Sequence, residues 1–482
     1  MPVRFLNSLS REVEEFIPLD PARRAVRMYC CGPTVYDFGH IGNFRTFVFT
    51  DLVRRHLELR GYQITAVMNI TDVEDKIIQR VRAAGTTLRG FVSQYENAFL
   101  EDLLTLGCLR PHHLPRATEH IPEMVRLIET LMKRGIAYQA ADRSIYFSIE
   151  KYQGGGCRYG QLVNLNFDQM RVGDRVASDE YSKDSVADFA LWKARVPEDG
   201  EVFWPSPWGE GRPGWHIECS AMSMKLLGPS FDLHLGGEDL AFPHHEDEIA
   251  QSEGAGGQPP GGRFVKYWLH AAHLLVEGKK MSKSLGNFFT LRDLLAKGYG
   301  GREIRQLLIS AHYRETFNFT FEGLEGARKA IARLDECLGK LRALAEATAA
   351  KPATGPSSHT PEDPVLHSFG AALDEDLNVS KAWGLIFEWV SELNRLLAAG
   401  QIDAARATTA LATWETMDRV LGLGHKEAVE APAGVLALLE QRQAARKAKD
   451  FKQADALRDT LKGLGWVIED TPKGAKVKPL AG

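Results

Sequence analysis

The chain has 482 residues, a formal net charge of −4, 44% hydrophobic residues and 25% charged residues. This length requires several domains, and the composition is that of an ordinary globular protein. No apolar run is long enough to cross a membrane and the N-terminus has no signal-peptide pattern, so we expect a cytoplasmic protein. Six scattered cysteines predict free thiols or metal ligands and not a disulfide framework.

The first predicted elements alternate between strand and helix. An apolar strand over residues 25–31 ends at Gly32, a helix with apolar residues at helical spacing spans 43–60, and a second strand covers 62–69. This order predicts an α/β fold with a parallel sheet of the doubly wound, Rossmann type.

The sheet is predicted to be interrupted and then resumed. Residues 111–204 change to short strand-like pieces and are interpreted as an insertion, which splits the sheet domain into residues 1–110 and 205–300. Strand patterns return at residues 231–235 and 268–276, so the same sheet is expected to resume there and its last strand to lead into the K-M-S-K-S segment at residues 280–284.

Beyond residue 300 the pattern is helical. We expect a stem over residues 301–350, a helical bundle over 351–430 and a small domain over 431–482. From residue 441 onward, ten Lys and Arg residues outnumber five Asp and Glu residues. Such a basic segment predicts either a phosphate-facing patch or a solvated helix face.

Two neighbouring segments carry candidate metal ligands. The sequence G-W-H-I-E-C supplies Cys219, and P-H-H-E-D-E supplies His244 and Glu248. Zinc accepts sulfur, nitrogen and carboxylate oxygen together. His244 and Glu248 are four residues apart, so on a helix both side chains would share one face.

Two further segments could bind phosphate. H-I-G-N, from His40 to Asn43, stands where the first strand's loop meets a helix N-terminus, although a turn histidine without a ligand is the plainer interpretation. K-M-S-K-S, with Lys280 and Lys283, could neutralise a polyphosphate or could be a basic surface loop.

The pairing of these segments resembles the class I aminoacyl-tRNA synthetases, in which the two signatures bind ATP. M-Y-x-C-G-P-T-V-Y-D, G-W-H-I-E-C-S-A-M, G-G-E-D-L-x-F-P-H-H-E-x-E-I-A-Q and K-M-S-K-S-L-G-N resemble the cysteinyl-tRNA synthetases more specifically. The resemblance covers about residues 5–314 and continues more weakly through the helical tail to residues 447–459.

The resemblance implies one zinc ion per chain, held by Cys31, Cys219, His244 and Glu248. Cys30 is the rival of Cys31, because strand alternation points them to opposite faces and only the family pattern chooses between them. His245 is expected outside the metal shell, since adjacent helical positions face apart. With four protein ligands present, the substrate thiolate would be an added ligand, unlike the common three-ligand open site.

The family pattern also implies the remaining site residues. His40 and Lys283 would be catalytic; ATP, with Mg²⁺ on its phosphates, would be bound by His40, Asn43, Lys280 and Lys283. The amino-acid pocket would be lined by Gly32, Thr34, Thr71, Trp215 and His234. Asn43 departs from the family, whose signature ends in His, and Trp215 has core packing as its alternative.

These features predict a ligase, expected to be a monomer, that joins L-cysteine to cysteine tRNA through an ATP-derived cysteinyl-adenylate. Zinc would select the substrate thiol, the helical bundle would bind tRNA, and the small C-terminal domain would bind its anticodon. One alternative is a cysteine ligase of mycothiol synthesis, which resembles the catalytic half but lacks a long C-terminal portion. Another is a zinc-bearing RNA-binding protein without catalysis.

Overall fold

A computed structural model describes residues 2–163, 188–259, 262–349, 363–424, 433–448, 450–464, 466–471 and 474–479. The chain divides into two compact units. The first comprises Met1–Leu291 and Gly301–Leu423, and the second comprises Arg292–Gly300 and Gly424–Gly482. None of the described helices combines the length and apolar character that crossing a membrane requires.

The strands up to residue 424 are β1 (Arg4–Asn7), β2 (Glu12–Glu15), β3 (Ala25–Cys30), β4 (Gln63–Met68), β5 (Ala137–Gln139), β6 (Ile145–Phe147), β7 (Phe189–Ala194), β8 (Gly211–Pro213), β9 (Phe231–Gly237), β10 (Val265–Ala271), β11 (Leu274–Val276), β12 (Lys279–Lys280) and β13 (Phe317–Phe319). The helices over the same range are α1 (Ile41–Leu59), α2 (Asp75–Ala84), α3 (Leu88–Thr105), α4 (Ile121–Lys133), α5 (Ile149–Gly154), α6 (Trp215–Leu227), α7 (Glu246–Ala255), α8 (Leu291–Ala296), α9 (Gly301–Leu308), α10 (Phe321–Ala349), α11 (Pro364–Asp374), α12 (Val379–Ala398) and α13 (Ala404–Leu421).

The central sheet has the order β10-β9-β3-β4, and its neighbouring strands are parallel. The predicted doubly wound parallel sheet is therefore confirmed. The carboxyl ends of β3, β4 and β9 lie together at one edge, which is where ligands bind in open sheets of this kind. β3 ends at Cys30 and β9 ends at Gly237, so Cys31 and Gly32 begin the loop at that edge.

The predicted strand over residues 268–276 is two strands. β11 leaves the central sheet and pairs with β12 and β13 in a separate three-stranded sheet. The break occurs because the Ala272 amide donates to the carbonyl of Tyr313, while Arg45 donates to the carbonyls of Ala272 and His273. The expectation that K-M-S-K-S follows a strand of the central sheet was therefore wrong.

Helix α1 places the H-I-G-N segment at the same edge of the central sheet. The His40 and Asn43 side chains form a reciprocal capping box at its N-terminus. Phe44, Val48 and Leu52 recur at helical spacing and are buried against the sheet. The helix ends at Leu59, and Gly61 follows with a positive φ of 85°.

The predicted insertion contains an antiparallel sheet of order β5-β6-β7-β8. Phe147 and Phe189 stack at its centre with ring centroids 4.8 Å apart. Strand β8 extends this sheet past residue 204, where we expected the insertion to end. Residues 164–187 of the predicted insertion lie outside the described residues.

The helical part of the first unit is joined to α1 by a fully buried arginine. Arg305 on α9 pairs with Asp51 on α1 and donates to the carbonyls of Leu106 and Leu421. One guanidinium therefore satisfies groups from three segments, which a buried charge requires.

The second unit contains α14 (Ala433–Lys447), α15 (Phe451–Gly463), β14 (Trp466–Thr471) and β15 (Gly474–Pro479). The two strands form an antiparallel hairpin. Val435, Leu461 and Trp466 form a small buried core of its own.

Candidate metal centre and active site

Four buried side chains converge near the carboxyl ends of β3 and β9. Cys31 follows β3, and Cys219 lies in α6. His244 lies in the turn before α7, and Glu248 lies in the first turn of α7. One ligand atom from each of the four lies within 4.8 Å of the others. The sulfurs of Cys31 and Cys219 are 3.9 Å apart, and His244 Nε2 is 3.1 Å from Glu248 Oε1.

This arrangement fits zinc. Two sulfurs bound at about 2.3 Å to one tetrahedral zinc would be about 3.8 Å apart, close to the spacing of Cys31 and Cys219. A hydrogen bond from Cys31 lowers the pKa of Cys219 to about 6 against the opposing effect of burial. Burial lowers the pKa of His244, but Cys219 and Glu248 more than offset it and raise that pKa to about 10. The centre is thus electron-rich and buried, as a cation site requires.

The adjacent cysteines have different surroundings. Cys30 points away from the cluster, with its sulfur 3.4 Å from the Thr50 hydroxyl, and burial raises the pKa of its thiol to about 12. The side chain that reaches Cys219 is Cys31, as the family pattern implied.

His245 lies closer to the cluster than we expected. Its Nε2 atom is 3.4 Å from the Cys31 sulfur, and Cys31, His234, His245 and Glu248 form a second group with metal-ligand spacing. The expectation assumed α-helical geometry, whereas His244 and His245 lie in a π-helical turn, Ala241–His245, that precedes α7 and contains the extended residue Phe242. His244 and His245 are therefore not consecutive positions of a regular α-helix.

Other groups orient the histidines of the cluster. His216 Nδ1 is 2.9 Å from His244 Nδ1, and His270 Nε2 is 2.8 Å from His245 Nδ1. Groups of this kind fix ring orientation at metal sites. His216 and His270 were not predicted from the sequence as parts of the site. His216 stood within the G-W-H-I-E-C motif, whereas His270 had no local signal.

Gly32, Thr34 and Thr71 lie on the segments that follow β3 and β4 at the carboxyl edge of the central sheet. Thr34 and Thr71 are bridged as parallel strand residues, and the Thr71 amide donates to the carbonyl of Pro33. Gly32 approaches the chain so closely that an added Cβ would lie 1.7 Å from the Asn69 carbonyl oxygen. Only glycine fits at this position.

Trp215 and His234 each contact a candidate metal ligand. The half-buried Trp215 ring stacks on His244 at a centroid distance of 4.4 Å. His234 is fully buried, stacks on Trp268, and places Nε2 3.0 Å from Glu248 Oε2. Both residues predicted for the amino-acid pocket are therefore in contact with predicted metal ligands.

Glu218 is a further buried carboxyl that our sequence analysis left without a role. It is 1% exposed and forms a side-chain hydrogen bond with Thr71. Burial, together with the neighbouring Cys219, raises the pKa of Glu218 well above its ordinary value. Its position directly before Cys219 in G-W-H-I-E-C was the available signal.

His40 is arranged as a hydrogen-bond donor. Burial lowers its pKa to about 4, so the ring is neutral near pH 7. Nδ1 accepts a hydrogen bond from the Asn43 amide, which leaves the proton on Nε2. Asn43 in turn accepts from the His40 amide through Oδ1. This asparagine therefore maintains the cap of α1 without adding charge.

The K-M-S-K-S segment lies against H-I-G-N. The Ile41 amide donates to the carbonyl of Phe289, and an added Cβ on Gly42 would lie 3.1 Å from the Met281 methyl group. Lys280 is exposed at the end of β12. Lys283 is 65% exposed at its side chain, and its ammonium group lies 2.9 Å from Asp37 Oδ2. The structure thus brings together both predicted ATP-binding segments.

Solved structures confirm the fold. The chain is similar to methionyl-tRNA synthetase from Mycobacterium tuberculosis in complex with methionyl-adenylate, with a TM-score of 0.58 and 15% identity over 86% of this chain and 94% of that one. A putative arginyl-tRNA synthetase from Campylobacter jejuni gives a TM-score of 0.51 and 12% identity over 83% and 91%. Residues 18–329 match the family described as tRNA synthetases class I (C) catalytic domain. The parallel sheet and the two adjoining signature segments are those of a class I aminoacyl-tRNA synthetase.

Relatives along the whole chain identify the family. A cysteine–tRNA ligase from Chlamydia muridarum is 45% identical over the full length of both chains. One from Chlamydia pneumoniae is 45% identical over 99% of this chain and 98% of its own. Residues 368–425 match the DALR domain, and residues 428–477 match the cysteinyl-tRNA ligase anticodon binding domain. The chain belongs to the cysteine–tRNA ligase family of enzymes.

Proposed function

We propose that this protein activates L-cysteine with ATP as a cysteinyl-adenylate and then transfers the cysteinyl group to cysteine tRNA. The observation that carries this proposal is the convergence of four candidate metal ligands at the carboxyl edge of the sheet, where Gly32 and Thr71 lie on the segments that follow β3 and β4. The full-length similarity to cysteine–tRNA ligases supports the same substrates.

Cys31, Cys219, His244 and Glu248 would hold the zinc ion. Zinc bound there would supply a Lewis acid that prefers a thiolate to the hydroxyl of serine or to an apolar group. The second histidine, His245, is close enough to Cys31 to be an alternative to His244. Trp215 stacks on the cluster and would exclude water from a small substrate.

The nucleotide would lie between the two signature segments. His40 carries its proton on Nε2 and can donate to a phosphoryl oxygen, while Lys280 and Lys283 can neutralise the polyphosphate together with Mg²⁺. The cysteine carboxylate would attack the α-phosphorus in line, and pyrophosphate would leave. Asn43 would hold the helix cap that presents His40.

The C-terminal residues would bind tRNA. The basic segment from residue 441 and the match to an anticodon-binding family support this assignment. They also favour the tRNA ligase over the mycothiol ligase, since the latter lacks a long C-terminal portion. The domain boundaries, the monomeric state and the cytoplasmic location stay predictions from the sequence.

Pyrophosphate exchange tests the proposal. The protein should catalyse cysteine-dependent ATP–pyrophosphate exchange and then charge cysteine tRNA. Lys283→Ala should lower the exchange rate by roughly 100-fold, because a group that stabilises transition-state charge is removed. Cysteine affinity measured by titration calorimetry should change little.

Lys279→Ala is the matched control, since Lys279 is an exposed neighbour in β12 outside the signature. It should retain nearly full exchange. An unchanged rate in Lys283→Ala would refute its catalytic role. Exchange without charging of tRNA would favour the mycothiol-type ligase, and absence of exchange would favour a binding protein.

A further inference from the structure

Glu218 is a buried acid without a complete set of partners. Its carboxyl is 1% exposed, and no described residue forms a hydrogen bond with its Oε2 atom. The other polar contact is a side-chain hydrogen bond with Thr71. Because Asn69 already donates to the Thr71 hydroxyl oxygen at 3.1 Å, the Thr71 proton is available to Glu218.

The carboxyl lies near candidate metal ligands and near residues predicted for the amino-acid pocket. Glu218 is three residues after Trp215 on α6, so the two side chains share a face of the helix. Cys219 and Asp72 are near enough to disfavour the carboxyl's negative charge, whereas the Thr71 hydroxyl and His244 favour that charge. Thr71 thus interacts with the carboxyl, while Oε2 has no hydrogen-bond partner among the described residues.

An unsatisfied buried carboxyl oxygen is costly unless a ligand supplies a donor. The proposed substrate carries one such donor, its α-ammonium group, on the carbon adjacent to the one that bears sulfur. Glu218 directly precedes Cys219, a predicted ligand of the metal that would bind the substrate sulfur. Its carboxyl is therefore expected to lie near the α-ammonium group. The neighbouring charges exclude an apolar occupant.

We propose that Glu218 binds the α-ammonium group of the cysteine substrate through Oε2, with the Thr71 hydroxyl holding the carboxyl in place. This inference rests on the proposed function. It gives the site a second recognition element, independent of sulfur. Thiols that lack a free α-amino group would be rejected even though they can reach the metal.

The test compares two ligands in one assay. The Michaelis constant for L-cysteine and the inhibition constant of 3-mercaptopropionate, which has the thiol and carboxylate but no amine, are measured by ATP–pyrophosphate exchange. Glu218→Gln should raise the Michaelis constant on the order of 30-fold, because a charge-assisted hydrogen bond is lost. The inhibition constant of 3-mercaptopropionate should change less than about threefold.

Glu246→Gln is the matched control. Glu246 is equally buried, but its two oxygens accept from the amides of Gly160 and Leu162 at 2.7 and 2.9 Å. Any effect of this change should alter the Michaelis constant for L-cysteine and the inhibition constant of 3-mercaptopropionate by the same factor. Zinc content, measured by atomic absorption, should be the same in Glu218→Gln as in the wild type. If Glu218→Gln is insoluble, Glu218→Asp takes its place and should show the same selectivity at smaller magnitude.

If either Glu218 variant weakened the binding of L-cysteine and of 3-mercaptopropionate equally, the inference would be overturned and the proposed function would stay intact. So would loss of zinc in the variant, since Glu218 would then support the metal site. Absence of cysteine-dependent exchange in the wild type would overturn the proposed function and this inference together.

Discussion

The Lys283 ammonium group lies 2.9 Å from the Asp37 carboxylate, so the second signature segment is paired with the loop that follows β3. The pair is partly exposed, at 65% and 30% of the two side chains. Burial opposes ionisation, but the hydrogen bond from Lys283 lowers the pKa of Asp37 below its usual range. The Asp37 carboxylate therefore neutralises the Lys283 ammonium group when no phosphate is bound.

Removing this pair should ease ATP binding. Asp37→Asn should lower the Michaelis constant for ATP by up to about fivefold, because a partly exposed ion pair contributes at most about 1 kcal/mol. Pyrophosphate exchange at varied ATP measures this. Glu58→Gln, which breaks the exposed Arg54 pair on α1, is the control and should have no effect. A higher Michaelis constant for ATP in Asp37→Asn would mean that Asp37 holds Lys283 in the position that binds ATP.

The adjacent cysteines should behave differently. Cys31→Ser should weaken zinc binding more than about 100-fold, since even groups behind a metal ligand contribute 10- to 100-fold. Cys30→Ser should retain zinc, because the Cys30 sulfur contacts Thr50 outside the cluster. Competition with a chromogenic chelator measures both affinities. Equal zinc loss in the two variants would contradict the assignment.

Gly32 should tolerate no side chain. In Gly32→Ala the new methyl group would meet the Asn69 carbonyl oxygen, and the backbone shift should cost about 1–3 kcal/mol of stability. Thermal melting should detect this as a lower midpoint, and cysteine-dependent exchange should fall with it. Gly154→Ala in α5 meets no atom within 4 Å and should leave both properties unchanged. A normal melting temperature in Gly32→Ala would show that the loop yields freely.

His56 should contribute to acid sensitivity. It is fully buried on α1 beside Asp374, and burial lowers its pKa below 6.5, although Asp374 opposes that shift. Below pH 6.5 the unfolded chain therefore takes up a proton that the folded chain does not, so stability falls as pH falls. His56→Gln should reduce the loss of melting temperature between pH 7.5 and 5.5 by roughly 1–3 °C.

The exposed His367 on α11 provides the control for this measurement. His367→Gln should leave the pH dependence of the melting temperature as it is in the wild type. An identical slope in His56→Gln would contradict the proposed origin of the acid sensitivity.

The order of strand and helix was readable from the sequence because each pattern is local. The apolar run before Gly32 and the helical spacing after Asn43 fixed β3 and α1 to within a few residues. The parallel sheet followed from the alternation of these elements. The two signature segments and the four candidate metal ligands were also present as motifs.

Contacts between distant segments were decided only by the tertiary structure. The departure of β11 from the central sheet could not be predicted from the sequence, because it depends on hydrogen bonds that Ala272 makes with Tyr313 and Arg45, which are distant in the chain. Nor could the sequence show how near His245 lies to Cys31, because His244 and His245 belong to a π-helical turn and not to α7 itself. A role for Glu218 could be inferred only from the folded structure, in which Thr71 lies beside it and its Oε2 atom has no hydrogen-bond partner among the described residues. Motifs name the chemical groups of a site, whereas their distances and burial depend on long-range packing.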